Sequence, residues 1–160
     1  MEPRMHKNQQ GFSLIELLIV VAIILIIAAI AVPNLLRSRM AANEASAVGS
    51  LRTMNTACTT YAITYGIGYP TQLSYLQPAT PATSTGADLL DDVLSSGTKS
   101  GYSFTLTGTP PASGTVVQAY TATAEPSSLG HTGNRYFFTD QSGVIRQKIG
   151  VAADLTDSPI

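Results

Sequence analysis

The 160-residue chain is long enough for one domain plus an additional segment, and it is nearly neutral, with a net charge of −1 and only 12% charged residues. Because it contains no run of Lys or Arg, the composition gives no support to a nucleic-acid-binding surface. A single cysteine, Cys58, excludes an intrachain disulfide. A small domain in this chain must therefore be held by packing, by neighbouring molecules or by a metal.

The first notable feature is a long apolar segment near the N-terminus. Residues 1–11 are polar and mildly basic, and residues 14–32 contain nearly all the long aliphatic side chains. As a helix this segment would measure about 28 Å, close to the ~30 Å hydrocarbon core of a bilayer. Glu16 is its only charge. Three interpretations are open: a secretory signal peptide cleaved near residues 29–31, an unprocessed membrane anchor, or a leader cut ahead of the apolar segment.

The residues at the start of the apolar segment favour the third interpretation. Gly11-Phe12-Ser13-Leu14-Ile15-Glu16 resembles the cleavage motif of type IV prepilins, a family close to the pseudopilins of type II secretion. The resemblance implies cleavage between Gly11 and Phe12, N-methylation of Phe12, and an assembly role for the glutamate at the fifth mature position. It also places Pro33 where pilins commonly kink, and it continues more loosely to about Tyr65.

Glu16 needs a compensating interaction, because a carboxylate near the bilayer centre costs about 2.5–3.5 kcal/mol. One explanation is local: Ser13-x-x-Glu16 matches a capping box, and the helix dipole favours an acid in the first turn. The other follows from the resemblance, which implies that Glu16 pairs with the Phe12 ammonium of a neighbouring subunit in a filament core. Because each charge buried alone would be unfavourable, this pairing would set the axial register between subunits.

Pro33 either ends the membrane helix or kinks it, since proline lacks an N–H and clashes with the carbonyl four residues earlier. Helical periodicity resumes beyond it, which favours a kink and one helix over residues 13–65, about 80 Å long. Gly66, Gly68 and Pro70 end the pattern. The apolar stripe of the second half comprises Val48, Leu51, Met54, Cys58, Tyr61, Ala62 and Tyr65, and the polar residues Asn43, Ser46, Ser50, Asn55 and Thr59 lie on other faces.

Residues 67–160 have the pattern of a sheet domain. The Thr- and Pro-rich residues 77–87 predict a loop, and residues 87–94 predict one or two helical turns. Alternating apolar and polar residues then predict strands at 102–107, 120–124, 135–139 and 144–149. The expected fold is α+β, with a long N-terminal helix packed against an antiparallel sheet of three or four strands, the ladle-like arrangement that the resemblance to pilins implies.

Several acidic residues could be interpreted as cation ligands. The cluster Asp88, Asp91 and Asp92 is more simply explained as a solvated helix start. The resemblance to type II pseudopilins, which hold calcium in a C-terminal loop, makes calcium a minor expectation, although hard cations need six to eight oxygens and no fixed ligand spacing occurs. The candidate ligands are Glu125, Asp140, Ser142, Asp154 and Asp157.

Catalytic patterns are missing from the sequence. Its two histidines, His6 and His131, lie in the leader and in a Gly/Ser-rich loop, and no G-x-S-x-G, H-E-x-x-H or phosphate-cradling glycine loop occurs. Cys58 lies on the apolar stripe, where a buried small hydrophobe is expected rather than a reactive thiol. The chain is therefore expected not to be an enzyme.

These observations predict four segments: a leader (1–11), a transmembrane and assembly helix (12–33), an amphipathic helical half (34–66) and a globular head (67–160). The expected function is a structural subunit of a type IV pilus-like filament. Its partners would be the inner membrane, a prepilin peptidase, the pilus or secretion assembly machinery, and other copies of itself in a homopolymer. The leader would be cytoplasmic and the head periplasmic before export to an extracellular pilus. The alternatives are a pseudopilin in a periplasmic pseudopilus and an anchored periplasmic binding module that does not polymerise.

Overall fold

The computed structural model describes residues 11–110, 114 and 116–160. Of the predicted leader, all residues except Gly11 lie outside this part. The chain divides into two compact units, Met1–Arg37 and Ser38–Ile160. The first contains the predicted membrane segment, and the second contains the head together with the helical residues that form part of its core.

One helix, α1 (Leu14–Tyr65), runs for 52 residues and confirms the predicted long helix. Pro33 lies inside it, so the alternative in which Pro33 ends the helix is wrong. Proline removes one backbone hydrogen bond of the ladder, and beside this break the side-chain amide of Asn34 donates to the Ile30 carbonyl at 3.1 Å. The helix ends at Tyr65 and is followed by Gly66, whose φ of 66° is the left-handed conformation that favours glycine after a helix.

Residues 38–65 of α1 form one side of the head's core. Leu51, Met54, Cys58 and Tyr61 are buried as the stripe predicted, and full burial of a large apolar side chain contributes about 1.5–3 kcal/mol. Ser50 was expected on a face other than the apolar stripe but is buried, because its position is in phase with the stripe. The sheet contributes the facing side chains Tyr102, Phe104, Leu106, Tyr120, Ala122 and Phe137.

The sheet has six antiparallel strands in the order β1-β2-β3-β4-β5-β6. Four of them correspond to the predicted strands: β2 (Tyr102–Thr109), β3 (Ala119–Pro126), β4 (Arg135–Asp140) and β5 (Arg146–Ile149). The prediction of three or four strands is nevertheless wrong, because β1 (Thr98–Lys99) and β6 (Ser158–Pro159) extend the two edges. A strand of two residues has no alternation to recognise, and it forms because its neighbour offers a pairing edge.

Two short helical turns lie between α1 and the sheet. A 3-10 helix covers Leu73–Leu76, and α2 covers Asp92–Ser95. The helical turn therefore begins later than the predicted residues 87–94, because Asp88 has a φ of 53° and Asp91 is the extended N-cap. The Asp91 carboxylate accepts the Leu94 N–H at 2.6 Å and pairs with Lys99 at 3.0 Å. The Leu94 hydrogen bond, followed by Lys99, lowers the pKa of Asp91.

Candidate functional site

The residues of the predicted cleavage motif precede and begin α1. Gly11, Phe12 and Ser13 lie outside the helix, and the Phe12 side chain is 85% exposed. Glu16 lies in the first turn, where its Oε2 accepts the Ser13 backbone N–H at 2.9 Å. This contact is one half of a capping box and satisfies one of the free donors at the helix start. The local explanation for Glu16, a capping contact at the helix start, therefore has a geometric basis in the structure.

The apolar part of α1 is uncovered around its whole circumference. Between Leu14 and Leu36 the large aliphatic side chains remain exposed, from 46% for Val21 to 81% for Leu14. In the described part of the chain, α1 is the one helix whose length and composition suit a membrane span. Burying apolar surface gains about 25 cal/mol per Å², so a helix that is apolar all round belongs in lipid or among other apolar helices.

Comparison with known proteins identifies this segment. The family model described as the prokaryotic N-terminal methylation motif matches residues 6–32. Type IV wide pilus major component PilA4 of Thermus thermophilus is 60% identical over 38 residues, which are 24% of this chain and 29% of that protein. Type IV major pilin protein PilA of Myxococcus xanthus is 44% identical over 54 residues, 34% of this chain and 24% of that protein.

The resemblance to type IV prepilins is confirmed. The chain spans only about a quarter of the length of these two relatives, 29% of one and 24% of the other. No solved structure matches the chain. The prepilin likeness is therefore carried by the N-terminal segment, and the head must be interpreted from its own contacts.

A buried carboxylate attaches the head to its helix. Glu44 of α1 is only 7% exposed, and its Oε2 accepts the Nε of Arg135 at 2.7 Å. Its Oε1 accepts the backbone N–H groups of Asn134 and Arg135 at 2.8 and 3.3 Å. Arg135 in turn donates to Gln147 on β5 at 2.9 Å. This set of contacts, named here the Glu44 clasp, was missed in the sequence, although Glu44 lies one helical turn before the apolar stripe and in phase with it.

Further along α1, an amide makes a second polar attachment to the sheet. The Nδ2 of Asn55 donates to Thr139 Oγ1 at 3.0 Å, and the Tyr120 hydroxyl donates to the Oδ1 of Asn55 at 2.9 Å. Burial raises the pKa of Tyr120, which keeps its hydroxyl a donor. Because buried amides and hydroxyls must be satisfied, this network fixes the position of the sheet along the helix.

The C-terminal segment of the head is tied down by ion pairs. Lys148 on β5 contacts Asp157 at 3.0 Å and Asp154 at 3.6 Å, and Arg146 donates to the Asp157 carbonyl at 3.0 Å. The Asp157 hydrogen bond raises the pKa of Lys148, whereas hydrogen bonds from Thr156 lower the pKa of Asp154. These contacts, named here the Lys148 lock, hold the C-terminal segment without a disulfide.

The residues named as calcium candidates are distributed over separate places. Glu125 lies on β3 opposite Ser103, and Asp140 lies opposite Thr121 and accepts the Ser142 N–H at 2.9 Å. The candidates Asp154 and Asp157 belong to the Lys148 lock. In the described ranges, no three His, Cys, Asp or Glu side chains form a group that could hold a metal ion. The candidate residues therefore lie on separate elements and do not form one cluster of ligands.

Cys58 is fully buried in the core between helix and sheet. Burial in these apolar surroundings raises the pKa of its thiol to about 12. The nucleophilic form of cysteine is the thiolate, so the Cys58 side chain functions in packing.

Proposed function

We propose that this chain is the structural subunit of a type IV pilus-like filament, with no enzymatic activity of its own. The observation that carries the proposal is the exposed, apolar start of α1 with a single acid, Glu16, in its first turn. Before assembly this segment lies in the inner membrane, with the leader in the cytoplasm and the head in the periplasm. After assembly the same surface is buried against other copies of the segment. The similarity to two major pilin proteins supports this proposal.

Processing provides the partner for Glu16. Hydrolysis of the Gly11–Phe12 peptide bond by the prepilin peptidase leaves a carboxylate on Gly11 and an ammonium on Phe12, which then receives a methyl group. In the filament core this ammonium pairs with Glu16 of the adjacent subunit. Breaking such a buried pair by removing one charge typically costs about 3–5 kcal/mol, which is enough to select one axial register. Pro33 provides the kink that lets the packed segments continue into the heads.

The test separates the charge of Glu16 from its capping contact. Glu16→Gln keeps an acceptor for the Ser13 N–H but has no charge, whereas Glu16→Ala loses both. We expect both variants to insert into the membrane and neither to assemble, because the pairing needs a carboxylate. Ser13→Ala is the matched control, since it retains the backbone N–H and should assemble. Normal filament numbers from Glu16→Gln would refute the pairing.

The intact mass of the membrane-extracted protein tests the processing step. We expect loss of residues 1–11 and the addition of one methyl group. Loss of residues 1–31 would instead indicate a signal peptide and would remove the assembly segment altogether. Electron microscopy of sheared surface material then tests the product: surface pili support the proposal, a short periplasmic polymer indicates a secretion pseudopilus, and the absence of both indicates an anchored binding module.

A further inference from the structure

The end of the head where α1 finishes is built from uncharged sequence. Residues 53–87 and 100–124 contain no Asp, Glu, Lys, Arg or His. The two stretches meet at this end, because the Val117 N–H donates to the Ile67 carbonyl at 3.1 Å. Roughly 25% of the residues of an ordinary soluble domain are charged. Two uncharged stretches that meet at one end of a head are therefore unusual for a surface that stays in water.

Exposed aliphatic side chains lie at this uncharged end. Ile63 is 78% exposed, and Ile67 and Val116 are each 44% exposed. Ile67 follows Ile63 by four residues across the end of α1, and Val116 precedes the residue that bonds to the Ile67 carbonyl. These three side chains are named here the uncharged pole. A group of exposed aliphatic side chains marks an interaction site, and the lack of charge around this one favours an apolar partner.

The other end of the head carries an apolar segment. Residues 149–153, Ile-Gly-Val-Ala-Ala, are named here the apolar loop. Ile149 is 76% exposed and Val151 is 56% exposed. The charged residues that flank the loop are paired with one another in the Lys148 lock, at 3.0 and 3.6 Å. The loop can therefore be covered by an uncharged surface without leaving a buried charge unpaired.

The apolar loop lies far from the uncharged pole of the same copy. The Gly150 N–H donates to the Asn134 carbonyl at 3.0 Å, and the Asn134 N–H donates to Glu44 at 2.8 Å. The loop therefore lies near the turn of α1 that contains Glu44. Glu44 and Ile63 are 19 residues apart on α1, which is about 28 Å at helical rise. The two apolar surfaces cannot cover each other within one copy.

We propose that the apolar loop of one copy docks on the uncharged pole of a second copy, with Val151 in contact with Ile63. The copies of a filament built by one repeated operation share one orientation, so the loop end of one head faces the pole end of another. A contact between two different surfaces of the same chain repeats from copy to copy without closing when the rotation does not return to the start. The proposal rests on the proposed function and supplies a contact between heads along the filament.

Introduced charges test the contact in the full-length chain, in cells that assemble it. Ile63→Lys and Val151→Asp each place an unpaired charge in the apolar contact. We expect the ratio of sheared filament to membrane-held subunit to fall by at least about tenfold, which corresponds to about 1.4 kcal/mol per contact. The double variant brings the lysine and the aspartate together and should recover most of the ratio. Val93→Asp is the matched control, because Val93 is 55% exposed but lies on α2, outside both surfaces.

The outcomes distinguish this inference from the proposed function. Single variants that assemble like the wild type would overturn the contact, and so would an equal loss of filaments in Val93→Asp. A double variant that assembles no better than either single variant would also overturn it. A wild-type chain that forms no filaments would instead overturn the proposed function. The amount of each variant held in the membrane shows whether the protein is retained, so that a loss of filaments is not a loss of protein.

A cross-linking experiment gives a second measurement that does not depend on filament yield. Cys58 is buried and has no exposed surface, so introduced cysteines can be addressed without background. With Ile63→Cys and Val151→Cys in one chain, a short bis-maleimide should convert sheared filaments into a ladder of covalent multimers, since it cannot join the two ends of one head. Either single substitution should give monomers only. Monomers from the double variant, or conjugates with a different protein, would overturn the contact.

Discussion

Removal of the Glu44 carboxylate is the sharpest test of how the head is attached to its helix. Glu44→Ala takes away the acceptor of three hydrogen bonds, from the Asn134 N–H, the Arg135 N–H and the Arg135 Nε. The alanine remains compatible with the helix, since alanine has the best intrinsic helix propensity. The substitution therefore reports on the clasp and leaves α1 itself unperturbed.

The size of the effect follows from the burial of each partner. A buried backbone N–H left without an acceptor costs about 1–3 kcal/mol, and the lower value applies here because the adjoining cavity of about 700 Å³ admits water. The Arg135 side chain is 42% exposed, so solvent screening limits the loss of its ion pair to about 0–1 kcal/mol. The two N–H groups and the ion pair together give a destabilisation of about 2–3 kcal/mol.

Thermal unfolding of the full chain in detergent, followed by near-ultraviolet circular dichroism of its tyrosines, measures this loss. At about 4 °C per kcal/mol for a unit of this size, we expect the midpoint of Glu44→Ala to fall by about 8–12 °C. Glu44→Gln keeps an acceptor and should lose less than half of that. The exposed Glu125 supplies the control, and Glu125→Ala should stay within about 0.5 kcal/mol of wild type. A Glu44→Ala midpoint as high as that of Glu125→Ala would refute the reasoning.

Three further outcomes are expected in the head. Gly133→Ala should destabilise it by about 1–3 kcal/mol, because the added Cβ would lie 2.1 Å from the hydroxyl of the buried Tyr102; an unchanged melting temperature would contradict this. Lys148→Met should speed amide hydrogen exchange over residues 150–157. The matched variant Lys99→Met, which breaks the ion pair between Lys99 and Asp91, should leave that exchange unchanged. Equal exchange rates in the two variants would show that the Lys148 lock does not hold the C-terminal segment. The pKa of Asp154 is lowered and the pKa of Lys148 is raised. The Lys148 lock should therefore be intact at neutral pH, and it should open as the pH falls below about 4 or rises above about 10.4. Equal protection of the amides of residues 150–157 at neutral, acidic and alkaline pH, after correction for the intrinsic exchange rate, would contradict this.

The sequence was most informative where one physical requirement acts on many residues. The predicted membrane segment and the buried stripe each repeat one pattern of apolar residues over many helical turns. Leu51, Met54, Cys58 and Tyr61 could therefore be assigned to the core before the fold was known. The alternation of β2 is equally regular, with buried and exposed residues in strict succession. The prediction of cleavage and assembly residues rests on the resemblance to prepilins.

The attachments of the head were not predictable in the same way. The Glu44 clasp joins residues that are 90 and 91 positions apart in the sequence, so no local pattern can reveal it. The start of α2 depends on the positive φ of Asp88 and on Asp91 as the N-cap. Both features are determined by tertiary contacts rather than by intrinsic helix propensity. The edge strands β1 and β6 are too short for any periodicity.

The Glu44 clasp and the Lys148 lock both involve the ladder between β4 and β5. Arg135 pairs in register with Ile149, and the next pair is Tyr136 with Lys148. Because successive residues of a strand point to opposite faces, Arg135 reaches the helix through Glu44 while Lys148 reaches the C-terminal segment on the other face. The β4–β5 ladder thus carries an ion pair on each of its faces, one to the helix and one to the C-terminal segment.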